Sequence, residues 1–282
     1  MTTLGQQFLP DSPAPASPIR LVAIDLDGTL LNTSKKISEQ TLNALKCLPR
    51  EVRIVIASAR PPRSVRQFYQ ALGLETWQIN YNGALIWDEP GQRAVYHRPI
   101  AGALARQILD AARDRFEEVL ISCEIMDRWH TDREDNSFTT ETGKMFQPDV
   151  IAPYETFCNQ PVTKVMLLGD PKILDKLEPM LLEKFGKKVT IVQTDDHLLQ
   201  LMDKRVSKAV ALKKTAAHYG IPISQIMAIG DAPNDVGMLQ LAGVAVAMDN
   251  AHQVVKQVAD WIAPSNNDHG VQAALVRYGL CQ

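Results

Sequence analysis

L-V-A-I-D-L-D-G-T, residues 21–29, decides the fold. Four apolar residues run straight into Asp25, and Asp27, Gly28 and Thr29 follow at once. A short unbroken apolar run, without polar alternation, is the pattern of a strand buried on both faces, as in a parallel sheet. Downstream, I-S-E-Q-T-L-N-A-L-K (37–46) has helical spacing behind a Ser38 cap, V-R-I-V-I-A (52–57) is a second apolar run, and another helix follows near Ser64 to Leu72. Apolar strands alternating with amphipathic helices predict βαβ units and place the chain in the α/β class.

The rhythm changes after W-Q-I-N-Y-N-G-A-L-I-W (77–87), where E-P-G-Q (89–92) joins two strand-like segments as a hairpin. Beyond it the spacing predicts a helix over 101–116, a strand at E-V-L-I-S-C-E-I (118–125) and an irregular polar loop over 132–148. T-K-V-M-L-L-G, a helix over 171–185, V-T-I-V-Q-T and H-L-L-Q-L-M-D complete a mixed α+β block. From Val206 the first rhythm returns: a helix from Lys208 to Gly220, the strand Q-I-M-A-I-G (225–230), a helix from Asn234 and the strand G-V-A-V-A-M (243–248). The expected organisation is an α/β core over 20–85 and 200–282, interrupted by an α+β domain over 86–199. The proline-studded residues 1–19 form a flexible leader outside it.

Composition narrows the function. Across 282 residues, 45% are hydrophobic, enough to bury a core; 30 basic against 32 acidic residues argue against broad binding to nucleic acid or anionic membrane. No eighteen-residue apolar run and no signal-peptide pattern is present, so the expected location is the cytoplasm. Cys47, Cys123, Cys158 and Cys281 form no C-x-x-C pair, which predicts reduced, mostly buried thiols.

Two acidic clusters carry the candidate chemistry. Asp25 and Asp27 stand at a strand end, where open parallel sheets place ligands, and positions two apart project to one side. A turn with solvated acids is the competing reading; a calcium loop fits worse, because Leu30 and Lys36 stand where that loop needs glycine and a bidentate acid. G-D-A-P-N-D (230–235) repeats the geometry after a second strand, although Asn234 and Asp235 could simply cap the helix they open. Together the acids offer the hard oxygen ligands that suit Mg²⁺. Ser58 follows the second apolar run, as either a phosphate contact or a turn residue. Lys208 lies in the first turn of a helix, where the dipole disfavours a cation unless an anion is near.

Taken in order, these segments resemble the four motifs of the haloacid dehalogenase superfamily of phosphatases: D-x-D-x-T, a Ser or Thr after the second strand, a Lys, and G-D-x-x-N-D. The insert between the Ser and Lys motifs, preceded by N-G-A at 82–84, resembles the Cof-like branch of sugar-phosphate phosphatases; S-A-R stands where that branch commonly shows T-G-R. The resemblance implies a Rossmannoid core with a cap that chooses the substrate. It implies Asp25 as nucleophile and Asp27 as acid and base, and it implies that Ser58, Lys208 and Asn234 hold the phosphoryl group. Mg²⁺ would be bound by Asp25, Asp231 and the backbone carbonyl of Asp27, with Asp235 acting through a water. The substrate is expected to be a small phosphorylated metabolite. A sugar phosphomutase-type phosphotransferase and a non-catalytic phosphometabolite-binding protein are the alternatives.

The six histidines show no metal-ligand spacing and read as structural or surface residues. His130, in R-W-H-T-D-R with Trp129, Arg128 and Arg133 as possible substrate contacts, reads as part of an exposed loop. Lys35/Lys36, Lys187/Lys188 and Lys213/Lys214 read as solvated pairs.

Overall fold

The computed structural model describes residues 17–135, 137, 138, 140 and 143–281, and nearly all of the expected leader lies outside them. The chain divides into two compact units, residues 1–53 with 220–282 and residues 54–219.

The first unit opens with β1 (Leu21–Asp25), every residue of which is buried. It continues through α1 (Glu39–Lys46), where Ser38 accepts from the Thr41 amide as the expected cap. The chain returns to this unit with β12 (Ile226–Gly230), α6 (Val236–Leu241), β13 (Val244–Met248), α7 (Gln253–Lys256), β14 (Trp261–Ala263) and α8 (Gly270–Arg277). Strand β1 pairs with β12, β12 with β13 and β13 with β14, all parallel. β1, β12 and β13 are buried along their whole length, which is why they read as unbroken apolar runs.

The second unit takes in β2 (Arg53–Ala57), whose first residue is the boundary, then α2 (Pro62–Leu72) and β3 (Gln78–Asn80), which runs parallel to β2. β4 (Leu85–Asp88) and β5 (Arg93–His97) are antiparallel neighbours, the hairpin that the E-P-G-Q turn predicts. The chain then runs through α3 (Gly102–Arg115), β6 (Leu120–Ile125), β7 (Arg128–Thr131), β8 (Val150–Ile151), β9 (Lys164–Leu168), α4 (Pro171–Phe185), β10 (Val189–Asp195) and β11 (Leu198–Asp203). Among the described residues these six strands form one sheet in the order β10-β11-β9-β6-β7-β8. Its alternating side chains divide cleanly: Ile121, Cys123, Val165, Leu167, Leu199 and Leu201 pack with α3 and α4 in one core. On the opposite face Leu120, Met166, Leu168 and Leu198 form a separate small cluster with Trp129 and Phe138. The unit closes with α5 (Lys208–His218), after which Gly220 takes a left-handed φ of 64°.

One expectation changes here. R-W-H-T is strand β7, not loop, and His130 is buried, opposite Cys123 on β6 and 5.4 Å from the Phe157 ring. Its flanking charges, Arg128 and Arg133, hid a half-buried strand from a composition-based reading.

Candidate active site

The acidic half of the site is built within the first unit. Asp25 is the last residue of β1, and Asp231 directly follows its parallel neighbour β12, so both acids leave the same sheet edge. Asp235 comes one short 3-10 turn later, at Pro233–Asp235, as the residue that opens α6. One carboxylate oxygen from each of Asp25, Asp231 and Asp235 lies within 4.8 Å of the others. Asp25 and Asp235 are buried and Asp231 is half-buried.

Neighbouring groups fix these acids in place. Thr29 Oγ1 donates to Asp231 Oδ1 at 2.6 Å, which gives the threonine of D-L-D-G-T a structural task. Gly28 has φ +85°, and a Cβ there would stand 2.3 Å from Asp231 Oδ2, so both conformation and space demand glycine. Asp235 Oδ2 accepts from the amides of Asp231 and Ala232, each at 3.0 Å, folding the G-D-A-P-N-D loop back on itself. Asp235 thus opens α6 without a side-chain cap bond to it and ties the preceding loop instead, through one of its two carboxylate oxygens.

Asp27 stands outside this triad of carboxylates. Its Oδ1 accepts from Lys35 Nζ at 2.8 Å, with the Asp27 side chain 37% exposed. Lys35, read from sequence as simply solvated, thus has a partner at the site; nothing in the spacing of T-S-K-K announces it. Asn234 lies exposed in the 3-10 turn.

Three oxygen donors at one sheet edge suit a small hard dication, and like charges so close are relieved by one. The donor set therefore fits Mg²⁺, and Asp25, Asp231 and Asp235 are the residues that could hold it.

The second unit holds Ser58 and Lys208. Ser58 is buried just past β2; its amide donates to the Ile79 carbonyl at 2.8 Å and its hydroxyl accepts from the Arg60 amide at 3.1 Å. The N-G-A turn lies beside it, with the Asn82 amide donating to the Ser58 carbonyl at 3.0 Å. Tyr81, Asn82 and Gly83 all have left-handed φ, at 49°, 55° and 98°. A Cβ on Gly83 would lie 2.3 Å from the Ser207 carbonyl oxygen, so this turn is pressed against the start of α5. Lys208 is the first residue of that helix and is 1% exposed. The turn thus brings the Ser58 segment and the Lys208 helix end together.

A further charged cluster in this unit escaped sequence reasoning. Arg63 of α2 donates to Glu124 Oε1 of β6 at 2.7 Å, both side chains being buried. Burial alone would lower the pKa of the Arg63 guanidinium, but the charge and hydrogen bond of Glu124, with Tyr81 and Asp127, hold it above its ordinary range. Asp127, in the β6–β7 turn, accepts from the Arg63 amide at 2.9 Å and so caps α2, whose own N-cap residue is a proline without a side-chain bond. Tyr81 Oη donates to the Met126 carbonyl at 2.8 Å and lies 3.1 Å from Glu124 Oε2. The partners stand 43 to 64 residues apart in sequence, so no local pattern reveals them.

The histidines contribute no ligand cluster among the described residues. His97 Nε2 bonds Thr163 Oγ1 at 2.8 Å, His218 stacks on Trp77 at 3.6 Å, and His269 Nδ1 meets Ser38 Oγ at 2.9 Å. All four cysteines are free thiols, two of them buried. Among the described residues no helix is long and apolar enough to cross a membrane.

Residues 22–275 match the family model of the haloacid dehalogenase-like hydrolases. The chain is 30% identical to Phosphatase YwpJ of Bacillus subtilis, over 90% of this chain and 97% of the relative. It is 29% identical to the 5-amino-6-(5-phospho-D-ribitylamino)uracil phosphatase YitU of the same organism, over 92% of this chain and 97% of that one. Its fold is similar to the crystal structure of TM0651 from Thermotoga maritima, with a TM-score of 0.84 and 28% identity over 92% of this chain and 97% of the other. The chain belongs to the haloacid dehalogenase-like hydrolase family, and it is an enzyme of the phosphatase class.

Proposed function

We propose that this enzyme hydrolyses small-molecule phosphate monoesters, sugar phosphates among them, with Mg²⁺ and through an aspartyl-phosphate on Asp25. The observation that carries the reading is the gathering of Asp25, Asp231 and Asp235 at the ends of two adjacent parallel strands. The order of the four motifs along the chain supports it. Residues 20–85 and 200–282 act as the catalytic core in this reading, and 86–199 as the insert that selects the organic part of the substrate.

A phosphate monoester is a dianion and repels a carboxylate, so attack needs positive charge in place beforehand. Lys208 supplies part of it, and Ser58 and Asn234 orient the phosphoryl oxygens. Asp25, Asp231 and Asp235, with the Asp27 carbonyl, would hold Mg²⁺, which when bound supplies further charge neutralisation. An Asp25 carboxylate oxygen attacks phosphorus in line as the ester P–O bond breaks, and Asp27 gives its proton to the departing alkoxide. Water then attacks the phosphorus of the aspartyl-phosphate, its proton passes to Asp27, and Asp25 is freed with release of inorganic phosphate. For this Asp27 must leave Lys35, its partner in the structure.

A panel of phosphorylated metabolites assayed with Mg²⁺ and again with EDTA tests the reading. Phosphate release that EDTA abolishes is expected, with turnover by Asp25→Asn reduced at least about a thousandfold. Release that survives EDTA, or an active Asp25→Asn enzyme, overturns it. Dependence on a bisphosphate activator would point to a phosphomutase instead.

A further inference from the structure

In the first unit, the loop that follows β13 ties together the two acid-bearing loops of the site. Asn250 stands two residues beyond β13, at the same sheet edge as Asp25 and Asp231. Its Nδ2 donates to the Gly28 carbonyl at 2.8 Å, and the His252 amide donates to the Asp231 carbonyl at 2.9 Å. One short segment thus holds the residue after Asp27 on one side and Asp231 on the other.

The loop that follows β14 backs it. Asn266, in the 3-10 turn before α8, donates its backbone N–H to Asn250 Oδ1 at 2.9 Å. A backbone N–H can only donate, so Oδ1 is the acceptor and Nδ2 faces Gly28. Asn266 Nδ2 donates in turn to the Leu31 carbonyl at 2.8 Å, and Asn267 Oδ1 accepts from the amide and the hydroxyl of Thr33, at 3.0 and 3.1 Å. Three asparagine side chains therefore grip residues 28–33.

What they grip is the support of Asp27. Gly28 has a left-handed φ and wide backbone freedom, so the residue next to the acid does little by itself to fix it. Leu31 meets Asp27 in an isolated parallel bridge, so a hold on Leu31 also bears on the acid. The Lys35 ion pair restrains the Asp27 side chain until the acid leaves it to react; from then on the backbone sets where the carboxyl stands.

We propose that Asn250, seconded by Asn266, is a positioning residue that aligns Asp27 with the departing oxygen of the substrate. Asn250 acts through the Gly28 carbonyl, Asn266 through that of Leu31. The proposal rests on the phosphatase reading above, in which Asp27 protonates the leaving group. A misplacement of about 1 Å can cost about a hundredfold in rate, whereas exposed hydrogen bonds add little to stability, so the loss should appear in turnover before it appears in folding.

The experiment measures kcat/KM for phenyl phosphate and p-nitrophenyl phosphate with Mg²⁺, in the wild type, Asn250→Ala, Asn250→Asp and Asn266→Ala, all as the full chain. The esters are close in shape, but phenol is the poorer leaving group, and its departure depends more on a proton from Asp27. Asn250→Ala should lose at least about tenfold on phenyl phosphate, a loss at least about fivefold greater than on p-nitrophenyl phosphate. Asn250→Asp keeps the acceptor for Asn266 but has no N–H for Gly28, so it should match Asn250→Ala. Asn266→Ala should show the same bias to a smaller degree, and it carries the test if circular dichroism finds the Asn250 variants unfolded. Unchanged rates, or equal losses on the two esters as a merely loosened fold would give, overturn the inference and leave the phosphatase intact. An Asn250→Asp enzyme with the wild-type ratio of the two esters overturns it as well. A wild type that cleaves neither ester overturns the phosphatase reading, and the inference with it.

Discussion

Each compact unit holds a concentrated group of charged side chains, near β1 in the first and near β6 in the second, and the two groups are built on opposite principles. In the first unit three carboxylates, Asp25, Asp231 and Asp235, converge on one another. In the second, Glu124 and Asp127 are met by Arg63 and Arg66, in ion pairs of 2.7 to 3.4 Å. Like charges held together weaken a fold unless something else binds them, whereas a matched buried group fixes the elements it joins. The contrast teaches where to look for chemistry: at the sheet edge where acids gather, and not in the matched ion pairs.

The sharpest way to break this contrast is to remove one acid from each group and compare melting. Glu124→Ala leaves Arg63 buried without its main partner and should cost about 3–5 kcal/mol of stability. Asp25→Asn removes one of three like charges and should cost clearly less stability than Glu124→Ala in the absence of metal. Equal losses in both variants, measured by denaturant melts, would erase the distinction.

Metal linkage gives the next largest effect. Mg²⁺ at a hundred times its Kd should stabilise the wild type by about 2.7 kcal/mol, and Asp231→Asn should lose most of that gain. Thermal melts with Mg²⁺ against EDTA measure it; the same Mg²⁺ shift in the variant would remove Asp231 from the metal site.

The smallest effect separates the units by pH. Burial lowers the pKa of His97 and of His130, both in the second unit. A histidine whose folded pKa lies below its unfolded value near 6.5 contributes stability that is complete above that value and lost as pH falls through the folded pKa. Arg205, by hydrogen bonding Asp203, lowers that carboxyl's pKa and adds a loss of the same sign at still lower pH. Stability should therefore fall on acidification from pH 7 to 5, and less steeply in His97→Gln. A variant with the unchanged slope would refute the contribution of His97.

How far the sequence could be read follows the same division. The acidic cluster was legible because Asp25 and Asp231 each stand at the end of an apolar strand, and because Gly28 and Thr29, both contacts of Asp231, sit in the same short motif as Asp25. N-G-A at 82–84 was visible as a motif, but its task of pressing against Ser207 needed coordinates. The hold of Asn250 on Gly28 and of Asn266 on Leu31 was not legible, since these bonds span 222 and 235 residues of sequence. β7 was missed because its polar flanks outweighed a short, half-buried strand signal, and Lys35 because a salt bridge across a tight loop leaves no periodic trace.

The central claim is that phosphate is carried covalently by Asp25. The most direct test is to mix Asp27→Asn enzyme with p-nitrophenyl phosphate and Mg²⁺, quench in acid within the first turnover, and locate the added phosphoryl group by peptide mass mapping. The good leaving group needs no proton from residue 27, so the label should accumulate on the peptide that contains Asp25 and persist longer than in the wild type. Label on any other side chain, or p-nitrophenol released at full burst with no label on the protein, would contradict the account.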